Sequence, residues 1–351
     1  MSASRRVTLA RVADEAGVSV STASRALRGR GDMSAGTRTR VLRAAARVGY
    51  TFTGESRGRP RDRTAGVIDV VFGDFHDPYT DEVVAGARTA AAARRYDLVL
   101  TTDHKTADDD WPHRIRARGT AGVIVGLRMP TAVQVALMSD AGIPLVLLDP
   151  PGEPPASLPS IRTTDRAGGV SAAEHLIARG AQRFILIGGT PSHRFGRGRV
   201  DGFTATVREQ APEAQLVRVD ADWGARAAES ACARALRALH GGGVIGLFAC
   251  NDEMAAGAYR AIAAAGLSVP RDVLVVGFDD VRGARWLHPP LTTIRQPIRE
   301  MGAAAVRTLM RGIEGADISG EATELPTALV IRGSTATAPA SSHPSARTLE
   351  A

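Results

Sequence analysis

From residue 64 onward the chain repeats one pattern, a short and largely apolar run followed by an amphipathic stretch of three or four helical turns. The runs fall at 67–72, 98–101, 122–125, 145–148, 184–187, 217–219, 246–250 and 273–278, and the stretches between them include 80–95, 131–141, 166–179, 225–239 and 252–265. Apolar strands without polar alternation are buried on both faces, so the pattern predicts parallel sheets covered by helices. Eight such strands are too many for one mononucleotide-sized half and suit two open sheets with a cleft between them. Ligands in such sheets bind beyond the carboxyl ends of strands, where Asp149, Asn251-Asp252 and Asp279-Asp280 stand.

The segment before residue 64 has a different composition. Residues 1–64 hold 14 arginines against Asp14, Glu15, Asp32, Glu55 and Asp62, a net charge of +9, which leaves −2 for the rest of a chain whose total is +7. A basic head on a nearly neutral body points to a polyanion-binding module joined to something else, and a solvated basic face is the plainer alternative. Lys105 is the only lysine, so the positive charge is almost wholly guanidinium, suited to bidentate phosphate or guanine contacts. With 351 residues, two or three domains are expected. No window approaches the roughly 20 apolar residues of a membrane span, and Met1–Val7 does not lead into a signal-peptide core, so a soluble cytoplasmic protein is expected. Cys232 and Cys250 form no CxxC pair and read as two buried thiols, and neither a metal nor a cofactor is expected.

The head reads as three short helices. Thr8 caps the first, with Leu9, Val12, Ala13 and Ala16 on one face and Gly17 ending it. Ser19 caps a second helix, about 20–28, that buries Ala23 and Leu27 and turns Ser21, Thr22, Ser24 and Arg25 outward. Ser34 caps a third helix to about Val48, with Val41, Leu42, Ala45 and Val48 closing a small core and Gly49 as its stop. Helix, glycine-containing turn, helix places a second helix in a major groove, although the same pattern also builds ordinary bundles. Hydroxyl side chains, free N–H groups and the positive dipole end would anchor a phosphate, leaving Val20, Ser21 and Arg25 toward base edges.

The wording is narrower than the pattern. Val7-Thr8-Leu9-Ala10-Arg11-Val12-Ala13-Asp14-Glu15-Ala16-Gly17-Val18-Ser19-Val20-Ser21-Thr22-Ala23-Ser24-Arg25-Ala26-Leu27 strongly resembles the N-terminal helix-turn-helix of the lactose-repressor (LacI/GalR) family of transcription regulators. The resemblance implies that Val20 and Ser21 select the operator, and it implies phosphate or base roles for Leu9, Ser19, Thr22, Ser24, Arg25 and Arg28, with a backbone contact near Tyr50. After Tyr50 the family continues into a hinge helix whose leucine wedges into the minor groove. Here Arg57 is kept, but Arg59 stands in the leucine's place between Gly58 and Pro60. Glycine costs about 1 kcal/mol and proline about 3 inside a helix, which argues against that hinge helix. An arginine arm in the minor groove and an unstructured basic linker are the two remaining readings.

The body matches the same family. Ile143-Pro144 with Asp149, the run Gly168 to Leu176, Arg197 to Phe203, Cys250 to Ala255, Val276 to Asp280 and Pro289 to Pro297 resemble its effector core, which is similar to periplasmic sugar-binding proteins. The implied fold is a small all-α helix-turn-helix head plus an α/β periplasmic-binding-protein-like (type I) core of two doubly wound subdomains. The head with its linker would span 1–63, the linker itself about 51–63, and the core 64–337. Within the core, an N-subdomain would take 64–164 and 296–322, and a C-subdomain 165–293 and 324–336. By the same resemblance Arg199, Asn251 and Asp279 would hold effector hydroxyls, faced by Asp149 from the other subdomain. Trp223 would stack on a sugar ring, with surface packing as the alternative. Phe72, Asp77 and Tyr79 would line the opposite wall or cap a loop, and Trp286 is assigned to the subunit interface.

The segments near 68–72 and 278–290 look like those of actinobacterial members linked to xylose, xylan-derived or related oligosaccharides. The expected partners are near-palindromic double-stranded operator DNA, a mono- or oligosaccharide effector and a second copy of the chain as a homodimer. The tail 338–351 lacks a leucine heptad and is expected to be disordered, with no tetramerising helix. An enzyme of the same architecture is the competing class. No Gly-x-Ser-x-Gly, no Gly-x-x-x-x-Gly-Lys-Ser/Thr and no His-Glu-x-x-His occurs, so no catalytic residue is expected.

Overall fold

The computed structural model describes residues 8–27, 34–48, 50, 66–103 and 111–336. They belong to two compact units, Met1–Thr64 and Ala65–Ala351.

Among the described residues the first unit has three helices, α1 (Leu9–Ala16), α2 (Val20–Leu27) and α3 (Ala35–Arg47). Thr8 and Ser34 cap α1 and α3 through their hydroxyls, and Gly17 ends α1 in the left-handed region at φ 63°. Val12, Ala13, Ala16, Ala23, Ala26, Val41, Ala44 and Ala45 form the core. Two expectations are corrected here. Ala26 is buried and Leu27 only half-buried, while Leu42 is 50% exposed instead of closing the core. The inward stripe of α3 is Val41, Ala44, Ala45 and Val48, and Leu42 lies about 100° round the helix from Val41. The expected stop at Gly49 lies outside the described residues, as do the linker 51–63 and the tail 338–351.

The second unit holds two six-stranded sheets. The first contains β1 (Gly66–Phe72), β2 (Tyr96–Thr102), β3 (Gly122–Gly126), β4 (Leu145–Leu148), β5 (Ser160–Thr163) and β11 (Ala322–Leu325), in the order β11-β5-β4-β3-β1-β2 and parallel throughout. The second contains β6 (Arg183–Gly188), β7 (Gln215–Asp220), β8 (Ile245–Ala249), β9 (Val273–Asp279), β10 (Thr292–Arg295) and β12 (Ala328–Val330), in the order β12-β10-β9-β8-β6-β7. Only the β10–β12 pair is antiparallel. Each sheet therefore runs 2-1-3-4-5, a doubly wound order whose topological switch point lies between its first and third strands.

Helices α4 (Pro78–Ala93), α5 (Trp111–Arg118), α6 (Ala132–Asp140) and α11 (Ile298–Ile313) cover the first sheet, with separate apolar clusters on its two faces. Helices α7 (Asp165–Ala178), α8 (Arg194–Gln210), α9 (Ala225–Ala238) and α10 (Asp252–Ala264) accompany the second. The chain passes between the subdomains three times, after β5, after β10 and after β11. The third passage corrects the expected boundary, because Glu324 and Leu325 remain in the first sheet as partners of Arg162 and Thr163. Pairing there covers the edge of β5, which would otherwise expose a free row of backbone groups. The passages are tied together: the Thr163 hydroxyl donates to Gln296 Oε1 at 2.8 Å, and the Thr327 N–H donates to the Thr164 hydroxyl at 2.9 Å.

Glycine fixes how closely α7 and α8 approach. A Cβ on Gly169 would stand 2.2 Å from the Arg199 carbonyl oxygen, and one on Gly202 2.1 Å from that of Arg166. The Gly169→Ala variant is expected to lose about 1–3 kcal/mol through overpacking, whereas Gly283→Ala, with open space around it, stays within about 0.5. Urea denaturation of the two variants beside the wild type checks this.

Candidate functional site

Two surfaces carry chemistry, one in each unit. In the first, Ser19 begins α2 by accepting the Thr22 N–H at 3.1 Å, and its Oγ also meets the hydroxyls of Ser21 at 2.9 Å and Thr22 at 2.8 Å. Three hydroxyls thus crowd the positive end of a helix dipole, where backbone N–H groups lack intrahelical partners. Val20 is 49% exposed, Ser21 and Arg25 are exposed, and Thr22 and Ser24 are half-buried. Arg25 has no ion-pair partner among the described residues. Leu9 and Tyr50 are half-buried and pack on the helical core. Arg28, Arg57 and Arg59 lie outside the described residues, as does the question of a hinge helix.

The second surface is a cavity of about 240 Å³ between the two sheets of the second unit, at the carboxyl ends of their strands. Leu127, Asp149 and Asp279, which follow or end β3, β4 and β9, have positive φ values of 52°, 45° and 113°. Non-glycine residues rarely adopt this region, and such strain clusters where a site needs its backbone turned. Arg199 projects from α8 and is buried. Its Nε donates to Asp165 at 3.0 Å, its Nη1 donates to the Cys250 carbonyl at 2.7 Å and lies 3.5 Å from Asp279, and the guanidinium sits 3.8 Å over the Phe278 ring. Burial works against its charge, but Asp165, Asp279 and Asp149 together hold it above the usual guanidinium range.

The carboxylates facing Arg199 are themselves perturbed. Burial pushes Asp149 up to about 7, aided by Asp165 and opposed by Arg199 and Arg194. Asp279 also rises to about 7 through burial, opposed by Arg199 and by a 2.6 Å hydrogen bond from Gln296 Nε2. Asp149 accepts an ion pair from Arg194 at 3.1 Å and a hydrogen bond from the Tyr79 hydroxyl at 3.4 Å. Arg194 belongs to α8 and Asp149 follows β4, so this contact joins the two subdomains directly. Asn251 Oδ1 caps α10 by accepting the Met254 N–H at 2.7 Å, while its Nδ2 donates to the Trp223 carbonyl at 3.0 Å. The Trp223 indole N–H donates to His193 Nδ1 at 3.0 Å, with the two rings stacked at 5.8 Å and Phe195 tilted against the indole at 5.2 Å.

Of the eight residues expected around an effector, the structure brings seven to this cavity: Asp77, Tyr79, Asp149, Arg199, Trp223, Asn251 and Asp279. Phe72 is corrected. It is 1% exposed and sits among the apolar side chains under α4 and α11, its ring edge-on to Phe75. As the last residue of β1 it faces the helix layer, and the loop after it supplies Asp74 and Asp77 to the cavity wall. Sequence reasoning also passed over His193, Phe195, Glu253 and Gln296. Gln296, in the Arg-Gln-Pro run at the second passage, was open to detection as a polar residue between a strand and a helix. Trp286 is 68% exposed, on the loop after the 3₁₀ turn Arg282–Arg285, and does not line the cavity.

Comparison with known proteins covers both surfaces. Residues 8–51 match the bacterial regulatory proteins of the lacI family, and residues 173–335 match the periplasmic binding protein-like domain. The HTH-type transcriptional regulator reg1 of Streptomyces lividans is 34% identical over 94% of this chain and 97% of its own length. Among solved structures, the chain is similar to the lac repressor dimer bound to operator and the anti-inducer ONPF, with a TM-score of 0.67 at 27% identity over 95% of this chain and 100% of that one. It is also similar to the transcriptional regulator CelR–cellobiose complex, with a TM-score of 0.68 at 28% identity over 94% of this chain and 100% of that one.

The two raised carboxyls have a consequence for stability. Between their ordinary 3.8 and about 7, the folded chain keeps protons that the unfolded chain has released, so the stability contributed by each falls as pH rises through that window. The Asp149→Asn variant removes one titration, and asparagine tolerates the positive φ. The unfolding free energy of the wild type minus that of the variant is expected to decline from about pH 4 to about pH 7 in urea titrations, and a rising difference would contradict the assignment.

Proposed function

Because the chain belongs to the lacI family of bacterial regulatory proteins, we propose that it is a sequence-specific DNA-binding transcriptional repressor whose operator affinity is set by a small sugar held in the cleft. The observation that carries this reading is the presence, on one polypeptide, of an exposed Ser/Thr/Arg helix end and a carboxylate-rich cavity at a topological switch point. Val20, Ser21 and Arg25 read base edges, and Ser19, Thr22 and Ser24 anchor phosphates. Leu9 and Tyr50 support that helix against the backbone, and Arg28, Arg57 and Arg59 add basic contacts. In the core, Arg199, Asn251 and Asp279 hold ligand hydroxyls from one subdomain, while Asp77, Tyr79 and Asp149 hold them from the other. Trp223 offers an apolar ring face, already oriented by His193.

The relatives carry the names of regulators, and we extend this to the chain itself, which works as a sensor and not as an enzyme. It acts as a homodimer on a near-palindromic operator, in the cytoplasm where the nucleoid lies. A sugar that favours one arrangement of the two subdomains changes the arrangement of the paired heads, and by linkage bound DNA changes sugar affinity to the same extent.

Separate sites give separable defects. Against a duplex selected from a random pool, Arg25→Ala is expected to lose about 1–3 kcal/mol of binding free energy with sugar affinity unchanged. Asp279→Asn is expected to do the converse. Fluorescence anisotropy and calorimetry read the two affinities, and a folded dimer losing both properties from either substitution would contradict the proposal.

A further inference from the structure

The charge lining the cavity narrows the ligand's chemistry. Among the described residues five carboxylates face it, Asp74, Asp77 and Asp149 from one subdomain and Glu253 and Asp279 from the other, against the single guanidinium of Arg199. That guanidinium is already matched by Asp165 and Asp279, which leaves only Nη2 without an acceptor among the described residues. Arg194, the other nearby cation, is engaged by Asp149 and Asp165 and does not line the cavity. Glu253 is half-buried in the first turn of α10, has no hydrogen-bond or ion-pair partner among the described residues, and is repelled by Asp77 across the cleft. The walls therefore offer acceptors in excess and a net negative field focused between two low-dielectric faces. Burial is the largest cause of the rise of Asp149 and Asp279 to about 7, with Asp165 adding to it at Asp149 and Asp165 and Asp77 adding to it at Asp279, against the pull of Arg199.

We infer that this cavity takes a hydroxyl-rich ring bearing no negative charge, and excludes the phosphorylated and carboxylated forms of the same sugar. The inference rests on the sugar-sensing reading above and specifies its ligand. Hydroxyl groups donate to the surplus carboxylates, and the walls formed by Tyr79, Phe195 and Trp223 cover the ring's C–H faces. A phosphate or carboxylate brought into the same space would meet the surplus of carboxylates with no unpaired cation facing it among the described residues.

The test uses the full-length chain and an equimolar mixture of xylose, ribose, glucose, cellobiose and xylobiose with xylonate, glucuronate, cellobionate, glucose 6-phosphate and ribose 5-phosphate. The protein is recovered by equilibrium dialysis, and the retained sugar is identified by mass spectrometry. A neutral sugar is expected. Calorimetry should then place its anionic derivative at least tenfold weaker, about 1.4 kcal/mol. Glu253→Gln should reduce that ratio at least threefold. Retention of an anion, a ratio below tenfold, or a ratio unmoved by Glu253→Gln overturns the inference while leaving sugar sensing intact. Retention of nothing by a protein that still selects a duplex overturns sugar sensing and the inference together.

Discussion

A guanidinium buried among carboxylates organises the second subdomain. Arg199 joins the first residue of α7 (Asp165), the backbone just after β8 (Cys250) and the last residue of β9 (Asp279), so three separate segments converge on one side chain. Removing one member of such a buried group costs about 3–5 kcal/mol, because the remaining charge is left unpaired. The approach of α7 to α8 at Gly169 and Gly202 sets where Arg199 stands, and the turned backbones of Asp149 and Asp279 set where its neighbours stand.

The same cluster reaches across the cleft. Arg194 lies on the helix that carries Arg199 and pairs with Asp149 on the opposite subdomain, and its backbone N–H donates to the Pro151 carbonyl at 2.6 Å. Gln296, at the second passage between subdomains, receives the Thr163 hydroxyl and donates to Asp279, so passage and cavity share one hydrogen-bonded chain. Asp149 and Asp279 therefore both belong to the groups that join the two halves. A ligand with equal affinity for open and closed arrangements would change nothing, so the linkage requires that the sugar discriminate between them.

Where the chain makes its own pattern, that pattern could be read from the residues. The alternation of apolar runs with amphipathic stretches marked two parallel sheets, and α1 was visible in Thr8, Gly17 and the spacing of Val12, Ala13 and Ala16. Strands β5, β10, β11 and β12 are three or four residues long, and the first three carry Ser, Thr, Arg or Glu; all four exist through pairing with neighbours, which local periodicity does not reveal. Leu42 was misjudged because one residue of phase turns a helix position from core to solvent, and Phe72 because an apolar strand end faces either helix layer or cavity by the twist of the sheet. The site was legible where a strand end carried an acid or a polar loop carried an aromatic residue, as at Asp149, Asp279 and Trp223. His193 and Phe195, which orient Trp223, gave no comparable signal, because their role depends on a loop brought beside it by the fold.

All of this stands on reciprocal coupling between a DNA-reading head and a ligand-holding core. The direct measurement is a pair of titrations on the full-length dimer: duplex affinity at zero and saturating sugar, and sugar affinity at zero and saturating duplex. Linkage requires the two ratios to be equal and different from one, of order five- to 150-fold for typical couplings. Ratios of one on both axes, in a protein that binds each partner tightly, would contradict the account.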